Sequence, residues 1–256
     1  MFFIRLCCAF YLIQYAIGSP ARQPFMGIMG GHTIPISRTP YMASLVRNIE
    51  KTTDTIAKRT ICGGTIVHER FVLTAAHCLL NKSIRDVIRV GSKHLNSGGA
   101  TYEVEKYIPH ENFSIVGFQN DIAILKLNQS LNFSETVAKI SLADENFNTE
   151  PLTLVNVTGW SETMPGSHVS MELRQVQLEI RPVIDCKSYP WVANDALCTW
   201  APKKGSCKGD SGGPMTMGDM QIGIASHGIV CGYLPVIYTR VSNYLSWIND
   251  TINKNL

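Results

Sequence analysis

The chain is broken from end to end into short β-type runs, and this pattern limits its fold more than any other feature. Runs at 41–47, 63–68, 71–74, 87–90 and 122–127 are followed by others at 152–158, 174–180, 221–226 and 236–240, with turn residues between them. Strands of this length and spacing pair as antiparallel sheet, in a sandwich or a barrel. Helical periodicity emerges clearly only at the end, where Val241, Leu245, Ile248 and Ile252 share one face. That helix would close the fold by laying its apolar stripe on the body. No Gly/Ser/Pro-rich linker marks a hinge, so any two halves pack directly together. With 45% apolar and 17% charged residues, the 256-residue chain can bury a sizeable core.

The N-terminus points to export. One early arginine, Arg5, precedes an apolar stretch over 6–17 that Gln14 interrupts. The stretch falls short of the ~20 apolar residues that span a bilayer. Ala16 and Gly18 sit at the −3 and −1 positions of a signal-peptidase cut before Ser19. A signal peptide over 1–18 therefore predicts a secreted, extracellular protein, and no other stretch is apolar enough to cross a membrane. Formal net charge is +3, falling to +1 once Arg5 and Arg22 are removed, and there is no basic run. That balance gives no reason to expect nucleic acid or an anionic membrane as partner.

Loss of the leader takes Cys7 and Cys8 with it and leaves Cys62, Cys78, Cys186, Cys198, Cys207 and Cys231. An even number of cysteines in an exported chain reads as three disulfides, with 15 possible pairings that spacing alone does not separate. Neither Cys-x-x-Cys nor His-x-x-x-His spacing occurs, so no metal and no cofactor is expected. Asn-x-Ser/Thr acceptors stand at Asn81, Asn112, Asn128, Asn132, Asn156 and Asn249, and Asn156 falls in an apolar run that reads as a buried strand.

Three local sequences carry chemistry. Thr74-Ala75-Ala76-His77-Cys78 follows an apolar run, Asn120-Asp121-Ile122-Ala123 puts an aspartate at the start of another, and Gly209-Asp210-Ser211-Gly212-Gly213-Pro214 sets a serine among glycines. Singly these residues mean little; together they suggest nucleophile, base and orienter. A serine hydroxyl barely ionises near neutral pH, so an imidazole must take its proton as attack begins. A buried carboxylate fixes the tautomer of that imidazole and stabilises the imidazolium that forms. The N–H groups of Gly209 and Ser211 can face a developing oxyanion only if no side chain blocks them. Gly209-x-Ser211-x-Gly213 also matches the nucleophile elbow of α/β-hydrolases. That fold needs the order Ser, acid, His, whereas His227 is the only histidine after Ser211 and the segment from Met215 to Ser226 reads as strand and turn.

These motifs resemble the chymotrypsin family of serine endopeptidases. The resemblance runs from Ile28 to about Asn253 and rests on Ile28-Met29-Gly30-Gly31, Cys62-Gly63-Gly64, the segment around His77, Asn120-Asp121-Ile122-Ala123, Gly159-Trp160, the segment around Ser211, Ser226-His227-Gly228, Pro235-Val236-Ile237-Tyr238-Thr239 and Trp247-Ile248. It implies an all-β fold of two packed six-stranded antiparallel barrels with a C-terminal α-helix and the cleft between the barrels. The expected division is a propeptide at 19–27 and a peptidase domain at 28–256. Within that domain the N-terminal barrel is expected over about 28–138, the C-terminal barrel over about 139–240 and the helix over about 242–252. It implies disulfides Cys62–Cys78, Cys186–Cys198 and Cys207–Cys231. It implies Ser211 as nucleophile, His77 as general base and then acid, Asp121 as orienter, and Gly209 with Ser211 as oxyanion donors. A fourth bridge common in vertebrate members is missing at both ends, where Val155 and Met217 stand, as in many invertebrate digestive and salivary relatives.

The family is made inactive, and a cut before Ile28 would free an ammonium to pair with Asp210. Gly27 replaces the Arg or Lys that many relatives carry there, so a different protease or stepwise trimming is expected to release Ile28. In the primary pocket the floor would be Gly205, which supplies no charge, and the walls Ser206, Gly228 and Val236. The expectation is cleavage after uncharged apolar residues of medium size, with large aromatics as the runner-up. Ser226 to Gly228 form the edge that pairs with substrate backbone, with His227 where the family usually has tryptophan, and Lys208 stands at the cleft rim. The expected partners are protein or peptide substrates, an activating protease and protein inhibitors, with the chain itself a monomer. The alternative from another class is a protease-fold binding protein that does not cleave; relatives of that kind typically lack a member of the catalytic trio, and this chain keeps all three.

Overall fold

The computed structural model describes residues 28–52, 55–80, 86–162, 164, 166, 168–186, 192–193 and 195–256. The leader expected at 1–18, the propeptide expected at 19–27 and the sequon at Asn81 lie outside them. The fold is almost entirely β. Its first barrel is closed by β2 (Met42–Thr52), β3 (Thr55–His68), β4 (Phe71–Thr74), β5 (Val87–Val90), β6 (Ala100–Pro109) and β7 (Ala123–Leu127), in the order β2-β3-β4-β7-β6-β5. Antiparallel pairs such as Phe71↔Lys126 and Leu73↔Ile124 set the register of its central strands. Phe71, Val72, Leu73, Ile124 and Leu125 are all fully buried in the core they share.

The second half is a curled sheet. The strands β9 (Leu154–Gly159), β10 (Arg174–Glu179), β11 (Leu197–Thr199), β12 (Pro214–Met217), β13 (Met220–His227) and β14 (Val236–Arg240) run in the order β10-β9-β12-β13-β14-β11. Its two edges meet at the Ile180↔Thr199 bridge and at the Arg181 N–H, which donates to the Cys198 carbonyl at 2.8 Å. A short strand β1 (His32–Thr33) extends the sheet beyond β10, and β8 (Ser141–Leu142) pairs with β13. The residues that open the domain therefore dock on the second sheet: Ile28 is fully buried in its core cluster. Val155 and Met217 occupy the adjacent strands β9 and β12 and pack in that cluster, filling with apolar side chains the place of the absent fourth bridge.

A 3₁₀ turn at Val241–Tyr244 leads into the helix α1 (Leu245–Lys254). Val241 and Ile248 are fully buried, and with Ile252 they pack on the core of the first barrel, so the C-terminal end crosses from the second sheet onto the first barrel while the N-terminal end, at Ile28 and β1, docks on the second sheet. The three disulfides are Cys62–Cys78, Cys186–Cys198 and Cys207–Cys231, with Cα separations of 6.2, 6.5 and 5.1 Å. Asn156 is half-buried on β9, between partners on β10 and β12, in contrast to the exposed Asn112, Asn128, Asn132 and Asn249. Among the described residues no helix is long and apolar enough to cross a membrane.

Candidate active site

The segment from Phe71 to Leu79 shows how local sequence aims a side chain. The buried strand β4 ends at Thr74, whose hydroxyl donates to the Gly63 carbonyl at 2.8 Å, and the chain then turns into a 3₁₀ turn at Ala76–Leu79. The Cys62–Cys78 disulfide ties this turn to β3, and His77 points out of it half-buried. Asp121, fully buried just before β7, receives it twice. Its Oδ1 accepts the His77 main-chain N–H at 2.9 Å, and its Oδ2 lies 2.7 Å from His77 Nδ1. A carboxylate only accepts, so Nδ1 carries a proton, and in the neutral ring the lone pair lies on Nε2. The Ser226 hydroxyl donates to the same Oδ2 at 2.5 Å, and the Thr239 hydroxyl donates to the Asp121 carbonyl at 2.9 Å. Both come from the second sheet.

Ser211 sits on a loop pinned from three sides. Its carbonyl accepts the Gly63 N–H at 2.7 Å, the Gly212 N–H donates to the Ala225 carbonyl at 2.8 Å, and the Gly213 N–H donates to the Asp210 carbonyl at 2.8 Å. Gly209 holds φ +111°, and a Cβ there would meet the Ser161 Cα at 3.1 Å, so only glycine fits this turn without displacing a neighbour. Asp210 is fully buried. Its Oδ1 accepts the Ser161 N–H at 3.2 Å and its Oδ2 the Cys207 N–H at 2.9 Å. Burial pushes its carboxyl up to about 6, against the pull of these hydrogen bonds toward the charged form.

His77 and Ser211 line one cleft of about 350 Å³, together with Ser206, Lys208, Ser226, His227, Gly228 and Val236. The residues singled out from both halves of the sequence thus converge. Gly209 lies beyond Lys208, on a neighbouring groove also lined by Ile61, Leu95 and Glu162. Gly205 is not among the residues lining the cleft; it pairs with Met29 through two hydrogen bonds of 3.1 Å, and a Cβ on it would meet open space. Ser206 is buried with its hydroxyl 2.6 Å from that of Tyr238, which burial raises to about 12. A Cβ on Gly228 would meet Val236 Cγ2 at 3.3 Å, so these two cleft-lining residues are packed against one another. Cys62, Cys78 and His77 place their sulfur and nitrogen atoms within 4.8 Å of one another, but the sulfurs form a disulfide rather than two thiolates, and no metal-binding pair arises.

One aromatic residue of the cleft is signalled by no sequence motif. Phe118, three positions before Asp121, stacks on His227 at 4.8 Å and meets His77 edge-on at 5.7 Å. A solitary aromatic in a loop gives no signal of this, because its partners come from distant parts of the chain.

An imidazole oriented by a buried carboxylate, opening on the same cleft as a serine held on a glycine-rich loop, is the constellation of acyl-transfer hydrolases. The family model described as Trypsin matches residues 28–248. The chain belongs to the trypsin family of serine endopeptidases. It is 36% identical to "Trypsin epsilon" of Drosophila erecta, over 88% of this chain and 87% of that protein. It is 34% identical to "Chymotrypsin-2" of Vespa crabro, over 86% and 98%, and 34% identical to "Granzyme B(G,H)" of Mus musculus, over 95% and 98%. Membership makes this chain a peptide-bond hydrolase with protein substrates. Since the relatives' names divide among trypsins, a chymotrypsin and a granzyme, kinship leaves the primary pocket to be read from this peptidase's own residues.

Proposed function

We propose that the chain is a secreted serine endopeptidase, made as a zymogen, that cleaves after uncharged apolar residues of medium size. The observation that carries the proposal is the double hold of Asp121 on His77 within the cleft that Ser211 lines. In this reading the Ser211 Oγ attacks the scissile carbonyl carbon while His77 Nε2 takes its proton. The carbonyl electrons move to an oxygen that the N–H groups of Gly209 and Ser211 receive. Collapse expels the amine, which takes the proton from His77, and water then releases the acyl group by the same sequence of proton transfers.

The pocket supports the preference. Its described lining residues include no carboxylate to hold an arginine or lysine, and Lys208 at the rim repels one. Ser206 is committed to Tyr238, and Val236 shortens the space beneath Gly228. Zymogen control is supported by the burial of Asp210, whose carboxylate oxygens meet only neutral donors among the described residues. Ile28 is buried in the second core and Met29 is bridged to Gly205, five residues before Asp210, so an ammonium freed at Ile28 would arise beside this loop. Buried pairs of this kind hold only when both charges are present.

The test uses the secreted full-length chain after processing. Its N-terminal sequence should begin at Ile28, a fluorophosphonate probe should label Ser211, and a peptide library should be cut after Leu or Met. An unlabelled serine in material with the Ile28 terminus would sink the peptidase assignment for this chain, and dominant cleavage after Arg or Lys would sink the pocket assignment.

A further inference from the structure

The catalytic carboxylate is approached by a second imidazole. Asp121 Oδ2 accepts from His77 Nδ1 at 2.7 Å and from the Ser226 hydroxyl at 2.5 Å. The single proton of Ser226 is thereby committed, so its oxygen can only accept from His227 Nδ1, 3.1 Å away. The donors run in one direction: His227 Nδ1–H to Ser226 Oγ, and Ser226 Oγ–H to Asp121. Phe118 packs against both rings, flat on His227 and edge-on to His77.

We propose that His227 is a positioning residue for the catalytic base: acting through Ser226, it draws on the Asp121 carboxylate in competition with His77 and so keeps His77 able to accept a proton at lower pH. The proposal rests on the assignment of His77 as general base. A hydroxyl that accepts a hydrogen bond becomes a stronger donor, so the His227 N–H strengthens the Ser226–Asp121 bond. Charge drawn toward Ser226 supports the His77 imidazolium less. Protonation of His227 would act in the same direction, by repulsion between two nearby cations.

Other charges around His227 do not reverse this sign. Asp195 and Arg240, of opposite charge, line the cavity on its far side, where the Arg240 Nε–H donates to the Asp195 carbonyl at 2.8 Å. Tyr238 and Tyr244 line that cavity too and stay neutral, since burial raises both to about 12. Lys208 faces the cleft and would disfavour an imidazolium further. Burial holds His227 below the usual imidazole range, with Asp121 opposing the shift and His77 adding to it, so the neutral ring is favoured, and the commitment of the Ser226 proton to Asp121 selects its Nδ1–H tautomer.

The test compares the activated enzyme with His227→Phe and His227→Leu, which lack the N–H, and with His227→Asn, whose amide nitrogen lies near the place of Nδ1. The acid limb of the kcat/KM profile should move up by about half a pH unit in the Phe and Leu variants and return in the Asn variant. A change confined to KM with the acid limb unmoved would make His227 only a wall of the cleft and overturn the proposal, as would an equal shift in the Asn variant. Titration of the His77 ring resonances by NMR reads the same coupling without turnover. A midpoint that is identical in wild type and His227→Phe refutes the coupling. A shifted midpoint in protein that no fluorophosphonate labels would uphold the coupling and remove the peptidase assignment instead.

Discussion

Asp121 receives three hydrogen bonds on its side chain, and each fixes a different part of the site. The His77 main-chain N–H fixes the turn, Nδ1 fixes the ring, and Ser226 joins the second sheet to the first. Replacing Asp121 by Asn puts an N–H where an acceptor is needed and favours the wrong tautomer of His77. The expected result is a fall in kcat of about 10⁴, the size known for this change in a chymotrypsin-type triad, with KM little altered; steady-state kinetics on a Leu-containing peptide checks it. Asp210 gives the opposite kind of prediction. Burial penalises the charge and pushes its carboxyl up to about 6 from the ordinary 3.8. The folded state then holds a proton that the unfolded state has already released between about pH 4 and 6. Its contribution is present below that window and lost as pH rises through it, by roughly 3 kcal/mol in all. Urea unfolding of the uncut Ser211→Ala chain should show this loss, and Asp210→Asn should remove it. A difference between the two chains that stays constant from pH 4 to 7 would refute the assignment.

At the level of elements, the strands most legible in the sequence are those whose buried apolar run leaves one outcome, as Phe71-Val72-Leu73 does in β4 and Ile122-Ala123-Ile124-Leu125 does leading into and through most of β7. The strand β6 is not legible, because its exposed Thr101, Glu103, Glu105 and Lys106 give it the composition of a loop while pairing with β5 and β7 makes it a strand. The docking of β1 on β10 was equally hidden, since two residues carry no period. The proposed trio of His77, Asp121 and Ser211 could be picked out because each member sits in a local motif, whereas Phe118 could not, its contacts being defined wholly by tertiary neighbours. Removing the Cys62–Cys78 link by a double alanine replacement should cost about 3 kcal/mol in urea unfolding, and it should lower kcat as well, because the turn it anchors bears His77. Val236→Ala should lengthen the pocket under Gly228 and raise kcat/KM for Phe over Leu at the cleavage site by about 10-fold in a matched peptide pair. Introducing a charge at Gly205 is a poorer route to new specificity, since its φ of +141° strains any other residue.

For the whole molecule the decisive quantity is the docking of the two halves, because His77 and Asp121 belong to one and Ser211 to the other. An apolar cluster drawn from both halves, including Tyr41, Met42, Trp160 and Leu173, fills the seam. Polar bonds set its register: the Gly63 N–H to the Ser211 carbonyl, Thr239 to Asp121, and Thr65 to Gln221 at 2.7 Å. The last is fully buried, and Gln221 also donates to the Gly223 carbonyl at 3.1 Å. Gln221→Leu would leave the Thr65 hydroxyl and the Gly223 carbonyl buried without these bonds, at a cost of about 1–3 kcal/mol. Adding Thr65→Val should recover part of that loss, because an apolar pair in place of the hydrogen bond leaves fewer groups unsatisfied. Since docking brings the hydroxyl and the imidazole to one cleft, the damage should fall on how many molecules are competent rather than on how fast each works. Active-site titration with a fluorophosphonate should show a smaller labelled fraction in Gln221→Leu at intermediate urea, with kcat per labelled site unchanged. A reduced kcat per site at full labelling would mean that the seam adjusts catalytic geometry continuously instead of holding it in one docked state.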